Sequence, residues 1–218
     1  MNTSPAANLR RRAAGVSLVA APLLLLASTV YRFGLGRNFE WYATMKLSFF
    51  FFAVGALGLV HLLRGRADGS SLVGGALTLA GCLSGASLTT AVLILMTIQE
   101  GGLDPAALQT IERALNQFGG YRAIVLCPLP GPLFPAGLLI LAVALWRKRV
   151  VPAWAALAFA AGAILFPAGR AAGVVWAFWV CDVLLSVSLG YIGWHVLTMT
   201  AEEWERRPEA RPEVVETV

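Results

Sequence analysis

The residue most suggestive of chemistry is Asp182, a carboxylate in the middle of an apolar run at residues 173–197. A carboxylate at this depth in a bilayer is costly and is usually paired, protonated or exposed to water, so it marks a candidate functional site. We interpret Asp182 as a proton or cation acceptor in a ligand or proton pathway. The alternative is a structural role, in which Asp182 pairs with Lys46 or with the hydroxyl group of Thr89 or Thr90.

Further residues are assigned to the same pathway. Ser186 lies within about 40° of Asp182 on a helical projection, which places both on one face of the helix. A countercharge could come from one of three cations predicted to lie near the outer face: Lys46, Arg122 and Arg170.

A cluster of prolines and glycines at residues 128–137 includes Pro130 and Gly131. Because proline removes a backbone hydrogen bond, the cluster predicts a break in the outer half of its helix. Interrupted helices expose backbone groups to substrates in transporters, so Pro130 and Gly131 are assigned to the ligand pathway. The alternative is a kinked entry segment without a ligand.

Two histidines, His61 and His195, are predicted near the cytoplasmic ends of their helices. Facing histidines can hold a haem iron, which makes a haem- or metal-dependent enzyme an alternative function. A histidine at a helix C-terminus more often interacts with the helix dipole. The sequence contains no C-x-x-C-H motif and no metal or nucleotide motif. We therefore predict no metal site and no cofactor, and the interpretation leans towards a non-enzymatic protein.

The composition determines which elements hold these residues. Hydrophobic residues make up 58% of the 218 residues, charged residues 13%, and the mean hydropathy is +0.71. A soluble domain would carry about 25% charged residues. The apolar runs are long enough to cross a hydrocarbon core of about 30 Å, and lipid requires their backbone to be helical. The sequence therefore predicts an all-α membrane bundle of six transmembrane helices, at residues 13–33, 43–63, 71–98, 123–146, 151–168 and 173–197.

The distribution of basic residues predicts the orientation. With the N-terminus inside, eleven Lys and Arg residues lie on the cytoplasmic side and six on the outer side, as the positive-inside rule requires. Both termini are then cytoplasmic, in a bacterial-type inner membrane. The net charge of +5 follows from this topology, so no nucleic-acid partner is predicted.

Two segments lie outside the predicted spans. Apolar residues at helical spacing predict an amphipathic helix at residues 104–119, on the outer surface. The polar tail at residues 201–218 is predicted to be disordered in the cytoplasm.

The third span carries small residues at a spacing of four: Gly81, Gly85 and Thr89. Such a face allows another helix to approach closely. The partner could be the sixth span, a second copy of the chain or a partner membrane subunit. A repeated Leu-Phe-Pro-Ala-Gly, at residues 133–137 and 165–169, indicates that two outer helix ends break or bend together.

Part of the chain resembles a broad group of uncharacterised bacterial six-helix membrane proteins. The resemblance is carried by FPAGLL at residues 134–139, ALWR at 144–147 and VPAWAA at 151–156. It covers the fourth and fifth spans and implies a domain of unknown function, with no catalytic residues to carry over. Taken together, the sequence predicts a membrane protein that binds or transports a small or lipidic molecule at an outer-half site. The alternatives are the haem- or metal-dependent redox or lipid-modifying enzyme and an accessory subunit of a membrane complex.

Overall fold

The computed structural model describes residues 5–64, 69–102, 106–107, 109–110, 113 and 130–205. These residues form helices and short connections, with no strand among them. The helices are α1 (Pro5–Thr29), which continues as a π-helical turn (Val30–Gly34), α2 (Asn38–Leu62), α3 (Ser70–Glu100), α4 (Pro130–Arg147), α5 (Ala153–Arg170), α6 (Val175–Thr198) and α7 (Ala201–Glu205).

Five helices in the described part of the chain are long and apolar enough to cross a membrane: α1 with its π-helical turn, α2, α3, α5 and α6. The protein is therefore a membrane helical bundle, as the composition predicts. The apolar part of α4, Pro132–Arg147, is shorter. Since the predicted fourth span begins at residue 123, outside the described residues, the count of six spans stays a prediction.

The helices α1 to α6 form a closed ring, in which each one packs against its neighbours in sequence and α6 packs against α1, while α7 packs against α1. Short connections between antiparallel helices favour this order, and all but the connection between α3 and α4 are short. The centre is filled by large buried side chains such as Leu18, Phe52 and Phe159. Large apolar side chains on the perimeter, among them Leu83 and Ile164, are exposed, as expected for a surface in contact with lipid.

The small-residue face of α3 packs inside this ring. A Cβ on Gly81 would lie 2.5 Å from the backbone of Phe134 in α4, and one on Gly85 would lie 2.6 Å from the Phe49 ring in α2. Thr89 donates a hydrogen bond to Gly85 O, in its own helix (2.9 Å). The partners of this face are therefore α4 and α2, rather than α6.

The predicted break at the prolines is absent from the described residues, since α4 runs from Pro130 through Pro132 and Pro135 as a helix. Pro130 and Pro132 fall in the first turn of α4. The backbone N–H groups of a first turn have no acceptor within the helix, so a proline there removes no hydrogen bond. In α5 the second copy of the repeat also stays helical through Pro167. The phenylalanines of the two copies, Phe134 and Phe166, contact each other edge to face, with centroids 4.9 Å apart.

The tail differs from its prediction at its first residues, because residues 201–205 form α7 instead of a disordered segment. Thr200 Oγ1 accepts a hydrogen bond from Glu203 N (3.2 Å), and Glu203 Oε2 accepts one from Thr200 N (2.7 Å). This capping box begins the short helix. Trp204 is buried and stacks on the His61 ring at the end of α2 (4.4 Å). Residues 206–218 and most of the predicted outer helix at 104–119 lie outside the described residues.

Candidate functional site

Asp182 lies in α6, about 10 Å from the start of the helix, and its side chain is 0% exposed. Arg170 Nη2 lies 2.9 Å from its Oδ1 and 3.1 Å from its Oδ2. Thr29 Oγ1 donates a hydrogen bond of 2.5 Å to Oδ2. The carboxylate thus joins α1, α5 and α6 at the end of the bundle that the charge distribution predicts to be outer.

Arg170 reaches Asp182 because the chain reverses between α5 and α6 within four residues, 171–174. The turn includes Gly173 at φ +71°, in the left-handed region that glycine adopts without steric cost. Just before the turn, a Cβ on Gly169 would lie 2.9 Å from Phe178 N, so the absence of a side chain lets α5 and α6 approach closely. The backbone therefore places the Cα of Arg170 within reach of Asp182.

The Arg170 side chain is 10% exposed. Its guanidinium lies over two aromatic rings, at 4.7 Å from the centroid of Phe166 and 5.0 Å from that of Phe178. A single nitrogen, Nη2, faces both carboxylate oxygens, so the pair lacks the forked geometry in which two nitrogens bind two oxygens. The other two nitrogens, Nε and Nη1, are buried without a hydrogen-bond partner among the described residues.

Thr29 is the last residue of α1, and the backbone then widens into the π-helical turn. Such turns are rare and occur often at functional sites. Phe33 in this turn contacts Phe178 edge to face (5.1 Å), which ties the turn to the ring that covers Arg170. The sequence interpretation missed Thr29, although its position near the outer end of the first span is at a suitable depth.

Ser186, one helical turn after Asp182, is directed elsewhere. Its hydroxyl donates a hydrogen bond to Pro22 O in α1 (3.2 Å). Ser186 thus joins α6 to α1 but does not bind the carboxylate.

The other residues assigned to the pathway do not meet Asp182 in the described structure. Lys46 is half-buried in α2, and the described cation that pairs with Asp182 is Arg170. Arg122 lies outside the described residues. Pro130 and Gly131 begin α4, which packs against α3 and α5. The candidate site is therefore formed by α1, α5 and α6, and not by α4 and α6.

A small cavity lies deeper, at the centre of the ring. Its volume is about 10 Å³, room for about one water molecule. It is lined by residues of α1, α2, α4, α5 and α6, such as Leu18, Phe52, Leu138, Phe159 and Leu189. This cavity cannot hold a ligand larger than water.

The two histidines lie at the opposite end of the bundle. His61 Nε2 is 3.1 Å from Trp204 O, and since a carbonyl oxygen only accepts, Nε2 must donate. Nε2 then has no lone pair for a metal, and the nitrogen of His61 that keeps one is Nδ1. His195 is half-buried in the last turn of α6. In the described part of the chain, no three His, Cys, Asp or Glu side chains are grouped as metal ligands.

Arg11 is a second buried charge that the sequence interpretation missed. Only 8% exposed, it donates to the carbonyl oxygens of Leu197 (2.6 Å) and Met199 at the end of α6. The carbonyl groups at a helix C-terminus receive no hydrogen bond from the helix backbone, so Arg11 supplies the donors. A cation there also offsets the negative end of the helix dipole. Arg11 was counted only among the basic residues that orient the chain.

Comparisons of this chain with protein-family models, with curated proteins and with solved structures found no match.

Proposed function

We propose that this chain is a non-enzymatic membrane protein that binds a small or lipidic molecule beside Arg170, in the outer half of a bacterial-type inner membrane. The observation that supports the proposal is the buried guanidinium with two unpartnered nitrogens, Nε and Nη1. A buried donor without an acceptor costs about 1–3 kcal/mol, and more when it is charged. A ligand oxygen would remove that cost.

The surroundings of Arg170 suit a ligand with both a polar and an apolar part. Phe166 and Phe178 present ring faces to the guanidinium, and Phe33 extends the aromatic surface through its contact with Phe178. The turn at residues 171–174 is largely exposed at the end of the bundle. A molecule could therefore approach from the membrane surface without crossing the packed centre of the ring.

The alternative functions have less support from the described residues. An enzyme using His61 and His195 would need a free ring nitrogen on each, and because Nε2 of His61 donates to Trp204 O, only its Nδ1 keeps a lone pair for a metal. An accessory subunit that used the α3 small-residue face would need that face free, but α2 and α4 cover Gly85 and Gly81. Whether the bound molecule is transported is a separate property that this proposal does not require.

The test is a native mass spectrum of the full chain extracted in a mild detergent. We expect an adduct of defined mass on the unmodified protein, and its loss from Arg170→Gln. The matched control is Arg12→Gln, an exposed arginine at the opposite end of the bundle, which should keep the adduct. An adduct that survives Arg170→Gln would overturn the proposed site, and a bare polypeptide that takes up no added membrane lipid extract would overturn the function.

A further inference from the structure

The charges around Arg170 limit what can bind there. Arg170 and Asp182 form a neutral pair in a buried setting. An anion added to this pair would bring one uncompensated negative charge into a region of low dielectric, which is unfavourable. If Asp182 took up a proton at the same time, Arg170 would lose one counterion and gain another, and the site would stay neutral.

We propose that the ligand is an oxyanion carried on an apolar group, and that it binds to Arg170 as Asp182 takes up one proton. This inference rests on the proposed function and adds the class of the ligand and its coupling to protons. The guanidinium suits carboxylate, sulfonate or phosphate oxygens. Phe166 and Phe178 beside it, with Phe33 in contact with Phe178, suit the apolar part.

Thr29 allows Asp182 to exist in both protonation states. When the carboxylate is charged, the Thr29 hydroxyl donates to Oδ2. When the carboxyl group is protonated, its O–H can donate to the same hydroxyl oxygen, because a hydroxyl group both donates and accepts. The contact therefore survives the transfer of Arg170 from Asp182 to the ligand.

The described helices around Asp182 offer few other groups that could take up the proton. In α5 the one charged residue is Arg170. In α6, the Cys181 thiol lies beside both Arg170 and Asp182 and donates to Gly162 O (3.3 Å), and His195 lies about 20 Å along the helix. In the π-helical turn, Arg32 is exposed and donates to Asn38 Oδ1 (2.6 Å). The remaining ionisable groups on these elements are Arg10, Arg11 and Arg12 at the far end, Tyr31 in the π-helical turn and Tyr191 in α6.

The experiment uses benzenesulfonate and octanesulfonate, which stay ionised from mildly acidic to mildly alkaline pH. Any pH dependence of their binding then arises in the protein. Binding to the full chain in nonionic detergent is measured by calorimetry in buffers of different ionisation enthalpy, which reports proton uptake. We expect about one proton taken up per anion at alkaline pH, and an affinity that rises by up to about tenfold for each pH unit lowered.

Three variants sharpen the test. Asp182→Asn should bind the sulfonates at every pH without proton uptake. Arg170→Gln and the double variant Arg170→Gln/Asp182→Asn should not bind them. The single variant leaves Asp182 as an unpaired buried charge, which can itself disturb folding. The double variant keeps the site neutral, so it controls for that effect. If Asp182→Asn fails to fold, proton uptake by the unmodified protein still decides the proposal.

The outcomes separate the two proposals. Sulfonate binding without proton uptake would overturn the coupling. Failure of both sulfonates to bind, with an Arg170-dependent adduct still present in the native mass spectrum, would overturn the anion and leave the proposed function intact. Failure of both measurements would overturn both.

A last arm identifies the source of the oxyanion. In lipid nanodiscs, phosphatidylglycerol should displace octanesulfonate if the natural ligand is a lipid headgroup, whereas phosphatidylcholine should not. If neither lipid displaces it, the ligand is a free amphiphilic anion.

Discussion

Thr29 Oγ1 donates a hydrogen bond of 2.5 Å to Asp182 Oδ2, which joins the first and last long helices of the described chain. The two residues are 153 positions apart in sequence. Their contact, with the Arg170 ion pair, holds three helices together at the predicted outer end. The buried carboxylate is therefore one of the contacts that close the ring.

Replacing Thr29 with Val should weaken this closure. The variant keeps the shape of the side chain and removes the donor, so we expect a loss of about 1 kcal/mol in the free energy of unfolding. Reversible unfolding in mixed micelles measures it. The control is Thr97→Val, since exposed Thr97 donates to Leu93 O in its own helix and should change stability little. Equal effects of the two variants would contradict a special role for Thr29.

Removing one partner of the ion pair should lower the free energy of unfolding more than removing both charges. Arg170→Gln or Asp182→Asn leaves one buried charge without its partner, which we expect to destabilise the protein by about 3 kcal/mol or more. The double variant leaves no charge and should recover part of this loss. A double-mutant cycle from unfolding in mixed micelles measures the coupling. Additive losses would show that the two side chains do not interact in the folded protein.

The crossing of α1 and α6 depends on glycine at position 193. A Cβ there would lie 2.7 Å from Gly15 O, a backbone atom that can move only with its helix. We expect Gly193→Ala to destabilise the protein by about 1–3 kcal/mol. Gly190→Ala, in the same helix, meets nothing within 4 Å and should stabilise it by about 0.5–1 kcal/mol. Thermal unfolding of both variants checks this, and destabilisation by Gly190→Ala alone would contradict the packing.

Arg11 should stabilise the end of α6 and slow its hydrogen exchange. Arg11→Met keeps much of the apolar volume but removes the donors to Leu197 O and Met199 O. We expect a loss of about 2 kcal/mol, with faster hydrogen exchange in the peptide that contains residues 196–205. Arg12→Met, at an exposed position, should leave the exchange unchanged. Protection that persists in Arg11→Met would show that the helix end is held by other contacts.

The sequence predicts the membrane bundle correctly because hydropathy is a local property. A run of apolar residues must be helical in lipid wherever its neighbours lie, and the described residues are helical with no strand among them, with five helices long and apolar enough to cross a membrane. A buried acid in such a run also points to a site without any knowledge of its partners.

The partners themselves depend on tertiary structure. Lys46, Arg122 and Arg170 were equal candidates by sequence, but the turn at Gly173 and the close contact at Gly169 bring Arg170 to Asp182. Thr89, proposed as a partner, instead bonds within α3, because α3 faces α2 and α4. The rotation of each helix is fixed by contacts along its whole length with two neighbours, and a single segment of sequence does not contain that information. Hydropathy alone therefore determined that the chain enters a membrane as helices with one costly acid, while the packing of the ring decided which cation and which hydroxyl group meet that acid.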